Sequence, residues 1–445
     1  MRFIPHTPED VRAMLATVGV ASVAELFADV PAALRERARL DLPPGASESA
    51  VRARLESLAA RNPGAACLSF LGAGAYPHFV PAVVDQILQR AEFYSAYTPY
   101  QPEVSQGTLQ AIFEFQSLVA MLFDCDVANA SMYDGASATA EAVLMALRVR
   151  PKRRKVLVSR ALHPQYRQVI TTYLEGAGDV EVIEINFDAT GATDQGALAA
   201  ALDDGTAAVV VGYPNFFGVL EPLDAIVTAA HARGAVVVSA TAETLALGAA
   251  KAPGTSGVDI VVGEGQSLGG ALNYGGPGVG LFATRSEHVR LMPGRLVGET
   301  VDGDGRRGYV LTLATREQHI RREKATSNIC TNQGLMALAV TVHLSMIGRQ
   351  GLRTLALTNL QRAHAAATAL CATNRWTRRF SGAIFNEFVI AGSDARAAVD
   401  AARGRGVLAG VPLGTWYPEL DDSVLVCATE IHAESDIAML AEVLR

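Results

Sequence analysis

The stretch from Asn129 to Val149, NASMYDGASATAEAVLMALRV, puts a glycine and small hydroxyl residues where a loop turns into a strong helix. Backbone N–H groups at a helix start, aided by the helix dipole, suit a phosphate. On that reading Gly135, Ser137 and Thr139 form a phosphate cup. An ordinary capped helix start, kept small for close packing, accounts for the same residues. Further on, VVVSATAETLAL is a buried strand running out at Thr241 into small and hydroxyl residues. Beyond it, VGEGQSLGG is a glycine-rich turn holding Gln266 and Ser267. A cofactor held as a Schiff base needs an amine, and this turn has no lysine.

The chain has only four lysines, Lys152, Lys155, Lys251 and Lys324, so the search for an amine is short. Lys152 and Lys155 lie in RPKRRK, a basic run that reads as solvated. Lys251 in GAAKAPG reads as a loop residue past the Thr241 strand, and Lys324 in RREKATSN as a salt-bridged linker residue, rather than as Schiff-base lysines. Two loops are rich in groups that can contact a ligand or a partner. SAYTPYQPEVSQGTLQAIFEFQ carries Tyr97, Tyr100, Gln101, Glu103, Ser105 and Gln106. Its prolines stiffen it, and its tyrosines offer rigid area with a polar tip. ATSNICTNQG carries Ser327, Asn328 and Cys330. Self-satisfied loops capping neighbouring helices are the plain alternative. In FLGAGAYPHFVP, Gly72 and Gly74 either make a turn or let backbone approach a ligand.

Alternating elements must position these residues. KVLVS, VEVIEIN, TAAVVVGYP, GAVVVSA, VDIVVG and GVGLFAT are short apolar strands, separated by amphipathic stretches that close on glycine. That alternation predicts an α/β fold with a mixed, mostly parallel sheet covered on both faces. Ligands in such sheets sit beyond the carboxyl ends of the strands. Residues 1–65 form a helical segment, opening with a Thr N-cap and Pro at the first helical position. A large domain follows over 66–325, with a small α+β domain over 326–445.

Bulk properties exclude several classes. An apolar content of 50% against 19% charged residues allows a large core with area left for a subunit interface. A net charge of −7 provides no basic field for nucleic acid or anionic lipid. The five cysteines are scattered, without the spacing of a disulfide framework or a metal site. The start of the chain lacks signal-peptide features, and no apolar run reaches the roughly 18 residues of a membrane span. A cytoplasmic protein is expected.

The succession of phosphate loop, strand end and glycine-rich turn resembles the aminotransferase-like layout of fold type I pyridoxal phosphate enzymes. In that layout an Asp holds the pyridine nitrogen and a lysine holds the cofactor. Here Thr241 stands near the first position and Gln266 or Ser267 near the second. The strings FLGAGAYPHFVP, MYDGASATAEA, GGPGVGLFATR, PGRLVGETVDGDGRRGYVLTLATREQHIRREKATSNICTNQ and VCATEIHAESDI resemble subunit 1 of the bacterial two-subunit glycine dehydrogenase (decarboxylating), the P-protein of the glycine cleavage system.

That resemblance implies an α2β2 assembly in which subunit 2 holds pyridoxal phosphate covalently. Glycine is decarboxylated there, and the aminomethyl group passes to the lipoyl arm of the H-protein. It implies no covalent cofactor on this chain, and a vestigial phosphate cup at Gly135, Ser137 and Thr139. Tyr97, Tyr100, Gln101, Glu103, Ser105, Gln106, Ser327, Asn328 and Cys330 are the residues expected to reach across. Two alternatives stay open: an autonomous enzyme of aminotransferase or desulfurase type using Lys251 or Lys324, and a purely scaffolding subunit.

Overall fold

The computed structural model describes residues 5–38, 41–95, 97–329, 331–372 and 374–445. Contacts divide the chain into two units, Met1–Ala65 and Ala66–Arg445. The first unit holds the helices Pro8–Val18, Ala32–Arg37 and Glu48–Ala59. Thr7 opens the first of these in a capping box, accepting from the Asp10 N–H while the Asp10 carboxylate accepts from the Thr7 N–H. Among its described residues none is buried.

The second unit is built on a seven-stranded sheet. Its order runs Val127–Ala128, Gly280–Thr284, Ile260–Glu264, Val236–Thr241, Thr206–Gly212, Lys155–Ser159, Glu181–Ile185. The five strands from Glu181–Ile185 to Ile260–Glu264 are parallel. Gly280–Thr284 runs antiparallel to both its neighbours. Helices on both faces bury the central strands at every residue, which is why these strands are continuous apolar runs without alternation. Glu181–Ile185 is the edge, and its exposed Glu181 and Glu184 guard it.

Beyond Gly334 lies a long element of two helical stretches joined at one kink. It runs Gly334–Cys371 through a kink at Gly348, whose φ of 58° only glycine adopts readily. It has the length and composition of a membrane span, yet it packs on the helix Gln106–Phe123 and contributes Ala337, Val340 and Leu344 to the core.

Toward the C-terminus an antiparallel sheet runs Thr377–Arg378, Glu387–Ala391, Ser423–Cys427, Val411–Pro412. Leu68–Ser69 pairs in parallel with Val407–Leu408. That pairing launches the following segment, residues 70–79, as a strap along the carboxyl ends of the large sheet's strands.

Candidate functional site

The Gly135–Val149 helix starts at the expected place, and its polar groups are already used. Asp134 is the N-cap, its carboxylate accepting from the Ser137 N–H at 2.7 Å, while the Ser137 hydroxyl accepts from the Asp134 N–H. Thr139 donates back to the Gly135 carbonyl at 2.7 Å. The Gly135 N–H, the group best placed for a phosphate, instead donates to the Glu264 carboxylate at 2.9 Å. Glu264 also accepts from the N–H groups of Val279 at 2.9 Å and Gln266 at 3.2 Å. Burial raises its pKa to about 7 against the lowering effect of these bonds. An internal carboxylate thus occupies the anion position, and a Cβ on Gly135 would run into the Tyr166 hydroxyl.

Where a lysine would stand, the Gln266 side chain is locked to the strap. Its amide donates to the carbonyls of Tyr76 at 3.0 Å and Gly270 at 2.8 Å, and its carbonyl accepts from the Tyr76 N–H at 3.0 Å. Thr241 and Ser267 are buried, and their hydroxyls lack a hydrogen-bond partner among the described residues.

The glycines of the strap explain its close approach, made to protein rather than to a ligand. A Cβ on Gly74, at φ 94°, would lie 2.8 Å from His163 Nε2, and one on Gly72 would strike the Glu387 carboxylate. His163 is neutral: burial lowers its pKa to about 4, its Nε2–H donates to the Ala73 carbonyl, and Nδ1 accepts from the Gln165 N–H.

What remains between Tyr76, His163, Tyr166, Pro214, Phe216 and Ala240 is a cavity of about 10 Å³. That is room for roughly one water. Pyridoxal phosphate does not fit these residues: the Gly135 N–H is taken by Glu264, the Gln266 side chain is bonded to the strap, and the cavity of about 10 Å³ is far smaller than the cofactor.

The strap also carries a buried ionic cluster that the sequence did not reveal. His78 lies between two carboxylates, with Nδ1 2.8 Å from Glu430 Oε2 and Nε2 3.0 Å from Glu243 Oε2. Burial works against its imidazolium, but Glu243 and Glu430 outweigh that cost and raise its pKa to about 10. Glu430 is lowered to about 2 despite its burial, by His78 together with the Phe79 N–H and the Asn359 amide. Glu387 accepts from the Ala73 N–H at 2.7 Å and the Tyr76 hydroxyl at 2.8 Å, yet burial raises it to about 8. The partners are separated by hundreds of residues, so a single sequence carries no signal pairing them.

None of the four lysines lines the cavity. Lys251 pairs with Asp224 at 2.7 Å and Lys155 with Asp203 at 2.5 Å, while Lys152 and Lys324 are exposed.

The two polar loops do meet. Phe93–Ser95 and Tyr97–Pro99 line a groove of about 480 Å³ together with Thr331–Leu335, Ala337 and Leu338; of the candidates among the described residues, Tyr97 is the one in its lining. Tyr97 is 90% exposed on this face, and Tyr100, Gln101, Glu103 and Asn328 are exposed as well. Ser105 is half-buried at the start of the Gln106–Phe123 helix. Two candidates have side chains already bonded within this chain. The Gln106 amide is spent on Pro102 and on both backbone groups of Tyr309, and Ser327 donates to Glu141 at 2.6 Å. Cys330 lies outside the described residues. Sequence reasoning also passed over Arg295, which is 5% exposed and whose guanidinium reaches Thr98, Tyr100 and Glu317.

Comparison with known proteins shows the family. The family described as glycine cleavage system P-protein matches residues 1–444. A relative from Anaeromyxobacter dehalogenans (strain 2CP-C), named "Probable glycine dehydrogenase (decarboxylating) subunit 1", is 54% identical over all of both chains. One of the same name from Geobacillus kaustophilus (strain HTA426) is 50% identical, covering 98% of this chain and 97% of the relative. A crystal structure of glycine decarboxylase (P-protein) of the glycine cleavage system, in inhibitor-bound form, superposes with TM-score 0.92 at 44% identity, over 99% of this chain and 98% of that one. A sphingosine-1-phosphate lyase from Burkholderia pseudomallei, TM-score 0.65 at 17% identity over 93% and 94% of the two chains, shares the fold alone, that of fold type I pyridoxal phosphate enzymes. With its aminotransferase-like sheet and its end-to-end match, the chain belongs to the glycine cleavage system P-protein family, as a subunit 1.

Proposed function

We propose that this chain is the cofactor-free subunit of a two-subunit glycine dehydrogenase (decarboxylating) working in the cytoplasm. With a lysine-bearing subunit 2, in an α2β2 assembly, it decarboxylates glycine and passes the aminomethyl group to the lipoyl group of the H-protein. The glycine carboxylate leaves as carbon dioxide, and the remaining carbon forms a bond to one sulfur as the lipoyl disulfide opens. The cofactor, pyridoxal phosphate, supplies the electron sink from the partner's site.

One observation carries this reading: the strap, Gln266 and Glu264 fill the pocket that a cofactor of this chain would need. The subunit 1 name of the relatives supports a division of labour between two chains.

This chain's part is to complete and dry the partner's cavity, where excluding water strengthens electrostatic interactions. Tyr97, Tyr100, Gln101, Glu103, Ser105 and Asn328 form the face that reaches across, and Cys330, outside the described residues, is assigned to the same role from sequence alone. Gln106 and Ser327 hold that face from within, since their side chains are bonded inside this chain. We assign residues 1–65 to an N-terminal helical segment, 66–325 to the large domain and 326–445 to the small domain.

Co-expression with the lysine-bearing partner tests the proposal. Glycine–bicarbonate exchange is expected only when both chains are present, and Glu103→Gln or Asn328→Ala is expected to lower exchange in an assembled complex. Exchange by this chain alone would overturn the reading. Unchanged exchange in both loop variants would leave only a scaffold.

A further inference from the structure

We infer that Arg295 is a positioning residue for the face that completes the partner's site; this rests on the functional reading above. Arg295 sits in the PGRLVGET motif just before the strand Leu296–Val301 and is 5% exposed. All three of its guanidinium nitrogens are engaged, and they point in different directions. Nη1 donates to the Thr98 hydroxyl at 2.9 Å and Nη2 to the Tyr100 hydroxyl at 2.8 Å. Nε donates to the Glu317 carboxylate at 3.3 Å. The guanidinium carbon also lies 5.3 Å from the centre of the Tyr100 ring, within cation–π range.

One rigid fork therefore joins two loops that are far apart in sequence and share the exposed face. Thr98 and Tyr100 belong to the tyrosine-rich loop. Glu317 begins the segment that leads to Ser327 and Asn328. The neighbouring residue reinforces the same junction from the other side. Arg316 donates to the carbonyls of Gly294 at 3.0 Å, Leu313 at 3.2 Å and Met292, while its own carbonyl accepts from the Thr326 N–H at 3.1 Å. Residues 294–295 and 316–317 thus clasp each other, and the clasp fixes where Tyr100 and Thr326 lie.

A lysine cannot replace this arginine, because an ammonium is a compact point charge without the planar fork that spans three acceptors. Arg295 touches none of the exposed candidate groups except Tyr100. Its effect on chemistry passes through the loops it holds.

The test uses the co-expressed complex, with exchange rates normalised to bound cofactor and assembly followed by size-exclusion chromatography. Arg295→Lys is expected to leave assembly intact and to lower kcat about 10- to 100-fold, the scale of loss from misplaced groups near a reacting centre. The KM for glycine should move by less than about 3-fold on the same argument. A loss of folded complex alone would change the amount of bound cofactor, not kcat per cofactor. Adding Tyr100→Phe to Arg295→Lys should cost little more, since both remove the same contact.

If Arg295→Lys exchanges at the parental rate while Glu103→Gln and Asn328→Ala do not, the assignment to Arg295 fails and the functional reading stands. If all three exchange normally, the assignment of this face to the partner's site fails as well, leaving only a scaffold. Should Arg295→Lys not assemble, Thr98→Val and Tyr100→Phe, each removing a single acceptor, must lower kcat in assembled complex, or the inference is wrong.

Discussion

Gln266 and Tyr76 are tied by two hydrogen bonds of 3.0 Å each, one accepted by the side-chain carbonyl from the Tyr76 N–H and one donated by the side-chain amide to the Tyr76 carbonyl. A side chain paired with both backbone groups of one residue behaves like another strand rung. It fixes the strap over the carboxyl ends of the sheet and seals the pocket. Gln266 therefore has a structural role of its own in the glycine-rich turn.

Restoring the lysine alone should consequently not restore a cofactor site. Gln266→Lys leaves the Tyr76 N–H and carbonyl without their partner and leaves Glu264 on the helix start. We expect a loss of about 2–4 kcal/mol in unfolding stability, the scale of two unsatisfied backbone groups. The purified variant should gain no borohydride-stable phosphopyridoxyl adduct. An adduct at position 266 with parental stability would refute this view of the pocket.

The His78 cluster makes a second expectation. Glu243 and His78 are about equally buried, at 2% and 3% side-chain exposure, so removing the cation strands two carboxylates in the interior. His78→Gln should cost about 3–5 kcal/mol, the usual penalty for breaking a buried ion pair. Denaturant midpoints of the purified chain measure it. A loss under about 1 kcal/mol would mean the cluster is wetter than its burial implies.

Much of this architecture was legible in the residues. The apolar runs from Lys155 to Thr284 announced the parallel sheet, because strands buried on both faces need no polar alternation. The crowding of glycines around Gly263–Gly278 marked the turn, and the absence of lysine from it was visible at once. The strap was not legible. Its glycines signalled a close approach but not to what, since His163, Glu387 and Glu430 meet it only through tertiary pairing. Glu264 was hidden for a similar reason: in sequence it is one polar residue at a strand end, and only the fold brings it to Gly135.

Glu387 gives a pH dependence with a definite sign. Its folded-state pKa of about 8 lies above the ordinary 4.5, so its contribution to stability is fully present below about pH 4.5 and is lost as pH rises through 8. The shift corresponds to a contribution on the order of 5 kcal/mol across that window. Glu387→Gln mimics the protonated acid and should flatten this part of the stability–pH profile. The difference in unfolding free energy between variant and parent should move in the variant's favour from pH 5 to pH 8. A difference that stays constant with pH would show that Glu387 titrates normally.

The central claim is that this chain's own pocket is closed and that the working lysine lies on another subunit. Borohydride reduction of the co-expressed, cofactor-loaded complex, followed by peptide mass spectrometry of each chain, tests it most directly. The account predicts the phosphopyridoxyl label on a lysine of the partner and none on Lys152, Lys155, Lys251 or Lys324. Stoichiometric label on any of those four lysines would contradict it.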